Sequence, residues 1–235
     1  MFYGFYGNSS YLIGYILVGI GVLVMAMAQA KVSGAYNKYS RVYNSKGMTG
    51  REVAYEILMQ NGLGHVQIHE VKGHLSDHYN PGNHTLNLSS EIYHGRSVAA
   101  LAVAAHECGH ALQHKEGYKP LVMRNAIVPV CNFSQYVGWI AIVAGLLLSR
   151  PSIAWFGVIL MSAMLLFQLI TLPVEFDASS RALSILNDRY LASHEYQDAK
   201  SMLNAAALTY VAGVFATLMS LLRIVLIVSS SNNRD

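Results

Sequence analysis

Charge is what this sequence has least of. Asp, Glu, Lys and Arg make up 12% of its 235 residues, against 53% hydrophobic. A water-soluble domain carries about twice that share of charge, so an ordinary soluble globule is excluded. Cysteine is nearly absent: Cys108 and Cys131 are the only two, which leaves no disulfide framework to read and makes a reducing compartment acceptable. The 16 Lys and Arg give a net charge of only +3 and are scattered. A phosphate-tracking protein concentrates its cations in a stripe, so nucleic acid is set aside as a partner. There is no internal repeat, and low complexity is confined to the short tail Ser229–Asn233.

The apolar residues, by contrast, are segregated into runs, and the mean hydropathy is +0.33. Tyr11–Ala30 is uncharged, and at about 1.5 Å per residue it covers a hydrocarbon core of about 30 Å. No Lys or Arg precedes it, whereas a cleaved signal peptide opens on a basic region, so a retained anchor is expected. Ile127–Leu148 and Ile153–Leu172, separated by the turn-like Ser149–Ser152, predict a helical hairpin. Ala205–Val228 is a fourth run, with Arg223 placed to snorkel to an interface. The expected division is an anchor over 1–30, a soluble lobe over 31–126, a transmembrane hairpin over 127–172, a polar segment over 173–204, and a last spanning helix with its tail over 205–235. Ten Lys and Arg lie in Lys31–Arg124 and three in Arg181–Lys200, against Arg150 in the hairpin and Arg234 in the tail. The positive-inside rule then predicts a multi-pass cell-membrane protein with both polar segments cytoplasmic and both termini outside.

The lobe has ordinary composition. Thr49-Gly50-Arg51-Glu52 is a capping box that opens a helix to about Gln60. Val66–Val71, Leu75–Tyr79 and Thr85–Leu88 read as short strands, because β-branched and polar residues alternate between Gly, Pro and Asn punctuation. Ser97 is placed to cap a helix that runs through His114 to a stop at Gly117. Extended substrate is expected to pair by strand addition along Asn83–Ser89, just before that helix.

Inside that helix lies His106-Glu107-Cys108-Gly109-His110, an HExxH pattern. Residues i and i+4 share a helix face, so both imidazoles reach one metal. At this composition the pattern arises by chance about once in seventy such sequences. With Zn2+ on His106 and His110, Glu107 is the general base for the attacking water. A catalytic zinc takes a third protein ligand. It cannot come from an HExxHxxGxxH extension, since Gln113 and Glu116 stand where that pattern has Gly and His. Glu175, the first carboxylate of Pro173-Val174-Glu175-Phe176-Asp177, is a candidate; the alternative is that it is a solvated charge at a helix N-terminus.

The AAHECGHALQH run, the later PVEFDASSRAL and the four-span layout resemble the YugP-like neutral zinc metallopeptidases of bacterial membranes. These are similar in plan to the HtpX and CAAX-prenyl-protease metallopeptidases. The resemblance covers nearly the whole chain. It implies a mainly α integral membrane protein, with four transmembrane helices and a small α+β gluzincin-like cytoplasmic catalytic lobe built on the HExxH helix. It also implies Zn2+ held by His106, His110 and Glu175, with Glu107 as base. HtpX-type chains carry ExxxD, whose Asp supports a ligand histidine; Ser179 stands at that place here. Asp177, which can pair with Arg181 at i+4, is a further candidate for that support.

The other histidines flank strands and turns and are assigned no metal, and His114 is read as continuing the polar face of its helix. Arg181 and His194 are candidate oxyanion stabilisers. Cys108 is read as packing. The function expected is zinc-dependent endopeptidase activity on peptide or membrane-protein substrates, in membrane-protein quality control or processing, with the bilayer as the other partner. Two rivals are a catalytically silent zinc-binding membrane adaptor and a transporter or channel. The spans contain almost no ionisable residue besides Arg223, which disfavours an ion or solute path.

Overall fold

A computed structural model describes residues 3–232. Arg234, counted above for orientation, and Asn233 of the polar tail lie outside the described residues. The order is α1 (Tyr3–Tyr39), α2 (Gly50–Gln60), β1 (Gln67–Val71), β2 (His78–Asn80), β3 (Thr85–Ser89), α3 (Ser90–Tyr93), α4 (Val98–Lys115), α5 (Lys119–Leu147), α6 (Pro151–Arg189) and α7 (Ser193–Asn232). The chain is mostly helical with one small sheet, and it divides into two compact units.

The first unit is built from the chain up to Gln29, Met123–Leu172 and the chain from Thr209 onward. It contains the apolar parts of α1, α5, α6 and α7, the four helices among the described residues that are long and apolar enough to cross a membrane. Leu12, Ile16, Leu23, Phe133, Phe156, Ile159 and Leu166 point outward. Such a surface suits lipid rather than water. Helices α5 and α6 cross closely at Gly157, where an added Cβ would come within 2.5 Å of the Gly138 carbonyl oxygen. Small residues at a crossing let backbones approach when no hydrophobic effect drives helix association in lipid. The Arg223 guanidinium lies over the Tyr15 ring, 4.8 Å from its centroid, which gives its charge an aromatic partner.

The second unit is Ala30–Val122 with Pro173–Leu208. Its core is formed by Val53, Ala54, Ile57 and Leu58 of α2, Leu86 and Leu88 of β3, Leu101, Ala104, Ala105 and Cys108 of α4, and Ala182 and Leu186 of α6. Cutting one of these large side chains to Ala costs about 2–5 kcal/mol in a packed core. Helix α2 starts where its capping box predicts: Thr49 accepts from the Glu52 N–H, and Glu52 returns the bond to the Thr49 N–H. Helix α4 starts at Ser97, whose hydroxyl accepts from the Ala100 N–H, and it ends two residues before the left-handed Gly117.

The sheet has the order β1-β3-β2. β1 runs parallel to β3, with Ile68 opposite Leu86, and β2 runs antiparallel to β3, with Tyr79 opposite Leu86. This corrects the expected substrate edge: Thr85–Ser89 is the central strand, paired on both sides, and offers no edge for strand addition. β2 is also shorter than its sequence pattern suggests. Leu75 is left-handed (φ 52°) after Gly73. At the far end the Asp77 carboxylate, rather than backbone, accepts from the Ser89 N–H at 2.7 Å. The short helix α3 carries no capping bond from its Ser89 hydroxyl and had no sequence signal.

The polar stretch 173–204 is not a separate insertion. α6 runs on through Pro173 to Arg189, and α7 begins at Ser193. Glu195 ties this turn to the lobe, accepting from the N–H groups of Ala192 and Ser45.

Candidate metal centre

Helix α4 is so rich in alanine that it is buried on most of its surface, and this brings it against α6 with little between them. At Gly109 an added Cβ would lie 2.6 Å from the Ala178 carbonyl oxygen and 3.1 Å from its Cα. Only glycine permits that approach, and the approach brings both α4 histidines up to Glu175.

His106 and His110 stand one turn apart, with ring centroids 4.8 Å from each other. Their Nε2 atoms lie 3.4 Å and 3.5 Å from the same oxygen, Glu175 Oε2. Glu175 is 3% exposed, and that oxygen has no hydrogen-bond partner among the described residues. A buried, unsatisfied carboxylate oxygen is expensive unless a cation sits on it. One donor atom from each of the three residues falls within 4.8 Å of the others. Two imidazole nitrogens and a carboxylate oxygen make a donor set that fits Zn2+. Burial alone would lower the pKa of His110, but the neighbouring Glu175 and Glu107 carboxylates outweigh it and leave the pKa raised. The pocket therefore favours positive charge, as a proton or as a metal.

The outer contacts are specific. Ser179 Oγ lies 3.1 Å from His106 Nδ1, and Gln113 Oε1 lies 3.0 Å from His110 Nδ1. Both leave Nε2 facing Glu175. Gln113 also donates through Nε2 to the Val174 carbonyl and to Asp177 Oδ2, each at 2.8 Å. Asp177 Oδ2 also accepts from Arg181 Nε at 2.6 Å, and Arg181 Nη1 donates to Glu116 Oε2 at 2.7 Å. Those two carboxylates hold the guanidinium. His194 is exposed at the start of α7 and is not part of this cluster.

Glu107 is 8% exposed, and its Oε2 accepts from the Tyr79 N–H of β2 at 2.9 Å. That N–H faces outward from the sheet, so β2 is the edge strand beside Glu107. The Tyr79 hydroxyl reaches His114 Nδ1 at 2.9 Å. Cys108 is fully buried with its thiol on the Ala54 carbonyl. Burial pushes its pKa up, the reverse of what activates a nucleophile. Sequence reasoning missed Gln113 and Tyr79. In the sequence Gln113 stands out only as the residue that breaks a longer zinc motif, and Tyr79 acts through its backbone, which no residue type encodes.

The family model described as "Putative neutral zinc metallopeptidase" matches residues 14–229, and the chain belongs to this family. It is also 45% identical over 223 residues to the "Putative membrane protease YugP" of Bacillus subtilis (strain 168), covering 94% of this chain and 98% of that protein. No solved structure matches. Membership implies Zn2+ as cofactor and a peptide as substrate, and the four apolar helices mark a multi-pass membrane protein.

Proposed function

We propose that the chain is a membrane-bound zinc endopeptidase of gluzincin type, with His106, His110 and Glu175 as ligands and Glu107 as general base. The observation that supports this most is the orphaned Glu175 oxygen set against two Nε2 atoms whose Nδ1 partners leave them free to bind a metal. Zn2+ held there supplies a Lewis acid that lowers the pKa of water and polarises a carbonyl. Glu107 takes the proton of the attacking water and delivers it to the leaving amine. The Tyr79 N–H orients that carboxylate. The catalytic lobe is cytoplasmic, comprising 31–126 together with 173–204, and the role is processing or quality control of membrane proteins.

The test is hydrolysis of an unbiased peptide library by the purified full-length protein. Glu107→Gln should bind zinc as the wild type does and lose cleavage by about three orders of magnitude or more, because an amide cannot take the proton. Equal cleavage by the two would place the base elsewhere. Zinc binding by a wild type that cleaves nothing would favour a silent adaptor.

A further inference from the structure

We propose that Gln113 is the positioning residue of the metal centre, and that its one amide sets the tautomer of His110 and the placement of Glu175 together. The inference rests on the ligand set proposed above.

Gln113 is completely buried. Its Nε2 has two neighbours at 2.8 Å, the Val174 carbonyl oxygen and Asp177 Oδ2. Each acts as an acceptor, so this atom is the NH2 group with both hydrogens committed, and the partners themselves decide which way the amide faces. The other end, Oε1, is then what meets His110 Nδ1 at 3.0 Å. An amide oxygen only accepts. Nδ1 must therefore carry the proton of the neutral ring, and Nε2, which faces Glu175, keeps its lone pair for a metal.

The second consequence concerns α6. Val174 precedes Glu175 in the chain, and Asp177 lies two residues beyond it, so the amide grips α6 on both sides of that ligand. Asp177 is held in turn by Arg181, and Arg181 by Glu116 at the end of α4. Metal–ligand distances tolerate about 0.2 Å, so a small slip of α6 along α4 would carry Glu175 out of range. Gly109 lets the helices approach, and Gln113 decides where along each other they stop.

A packing role makes a different forecast. Methionine nearly matches glutamine in volume, so Gln113→Met would lower stability yet leave zinc affinity alone if the amide only filled space. The experiment is chelator competition for Zn2+ with the full-length protein in detergent, alongside thermal unfolding and the visible absorption of the Co2+-loaded form. Gln113→Met should lose zinc affinity by about 10–100-fold, the usual effect of removing a group that orients a ligand histidine, and its Co2+ spectrum should change. Gln113→Glu keeps the volume and an acceptor for His110 but loses both donors to α6. It should also bind zinc more weakly, and it decides the matter if the Met variant does not fold. Zinc affinity and Co2+ spectra like those of the wild type in the folded variants would overturn the proposal. His110→Ala separates the two levels: if it too binds zinc normally, the ligand set is wrong, whereas if it alone loses zinc, only the role of Gln113 is wrong.

Discussion

The Ser179 hydroxyl lies 3.1 Å from Nδ1 of His106, a residue 73 positions earlier in the chain. The partner of this imidazole nitrogen is thus a neutral oxygen rather than a carboxylate. A neutral hydrogen bond contributes about 0.5–1.5 kcal/mol and a charge-assisted one about 1.5–3. Ser179→Ala should therefore weaken zinc binding about two- to tenfold by chelator competition. Ser179→Asp should bind at least as tightly as the wild type. An alanine variant with undiminished affinity would show that His106 is oriented by packing alone.

Glu175 and Asp177 should separate cleanly. Glu175 faces the two histidines, whereas Asp177 bonds to Gln113, which meets His110, and to Arg181. Glu175→Ala should lose most bound zinc in metal analysis after dialysis. Asp177→Ala should retain it, at an affinity reduced by no more than about tenfold. The opposite ranking would transfer the ligand role to Asp177.

Asp77 gives a pH signature in stability. Burial raises its pKa more than its bonds to Ser89 lower it, and the nearby Glu107 charge adds to the rise. A carboxyl raised on folding binds its proton more tightly in the folded state. Its stabilising contribution is thus fully present below the unfolded value of about 3.9 and is lost as pH rises through the higher folded value. Asp77→Asn can still accept from the Ser89 N–H but carries no charge. Its thermal midpoint relative to the wild type should rise between pH 4 and pH 7. A difference that does not vary with pH would mean that the carboxyl is solvated.

The orientation proposed for the lobe can be read by labelling. In a background with both native cysteines replaced, Lys72→Cys and Lys200→Cys should be shielded from a membrane-impermeant maleimide on intact cells, while Arg150→Cys should react. The basis is the excess of basic residues in the two long polar segments. The reverse pattern would place the lobe outside.

What the sequence determined by itself is whatever repeats within a few residues. The apolar runs mark the membrane helices because length and hydropathy suffice. Thr49 and Ser97 mark helix starts because a cap and its N–H are neighbours in the chain. The pairing of His106 with His110 follows from 3.6 residues per turn. The bounds of β1 and β3 were legible from alternation, but their order was not. That Thr85–Ser89 lies in the middle depends on which strands meet, and parallel pairing with β1 is a non-local choice.

Residue types left Glu175 a candidate with a solvated alternative, and the tertiary structure decided that its oxygen faces the imidazoles and which groups meet their other nitrogens. Glu175, Ser179 and the Val174 carbonyl reach α4 across more than sixty positions of chain. Their arrival depends on how closely two helices approach at Gly109 and Ala178, a steric matter of a missing Cβ. Asp177 shows the limit of reading by residue type. Its charge suggested direct support of a histidine, but the helix turns it toward Gln113 and Arg181, and the buried amide makes the contact instead. A hydrogen-bond chain of this kind is specified by geometry at the scale of an ångström, which packing sets and no local pattern of residues encodes.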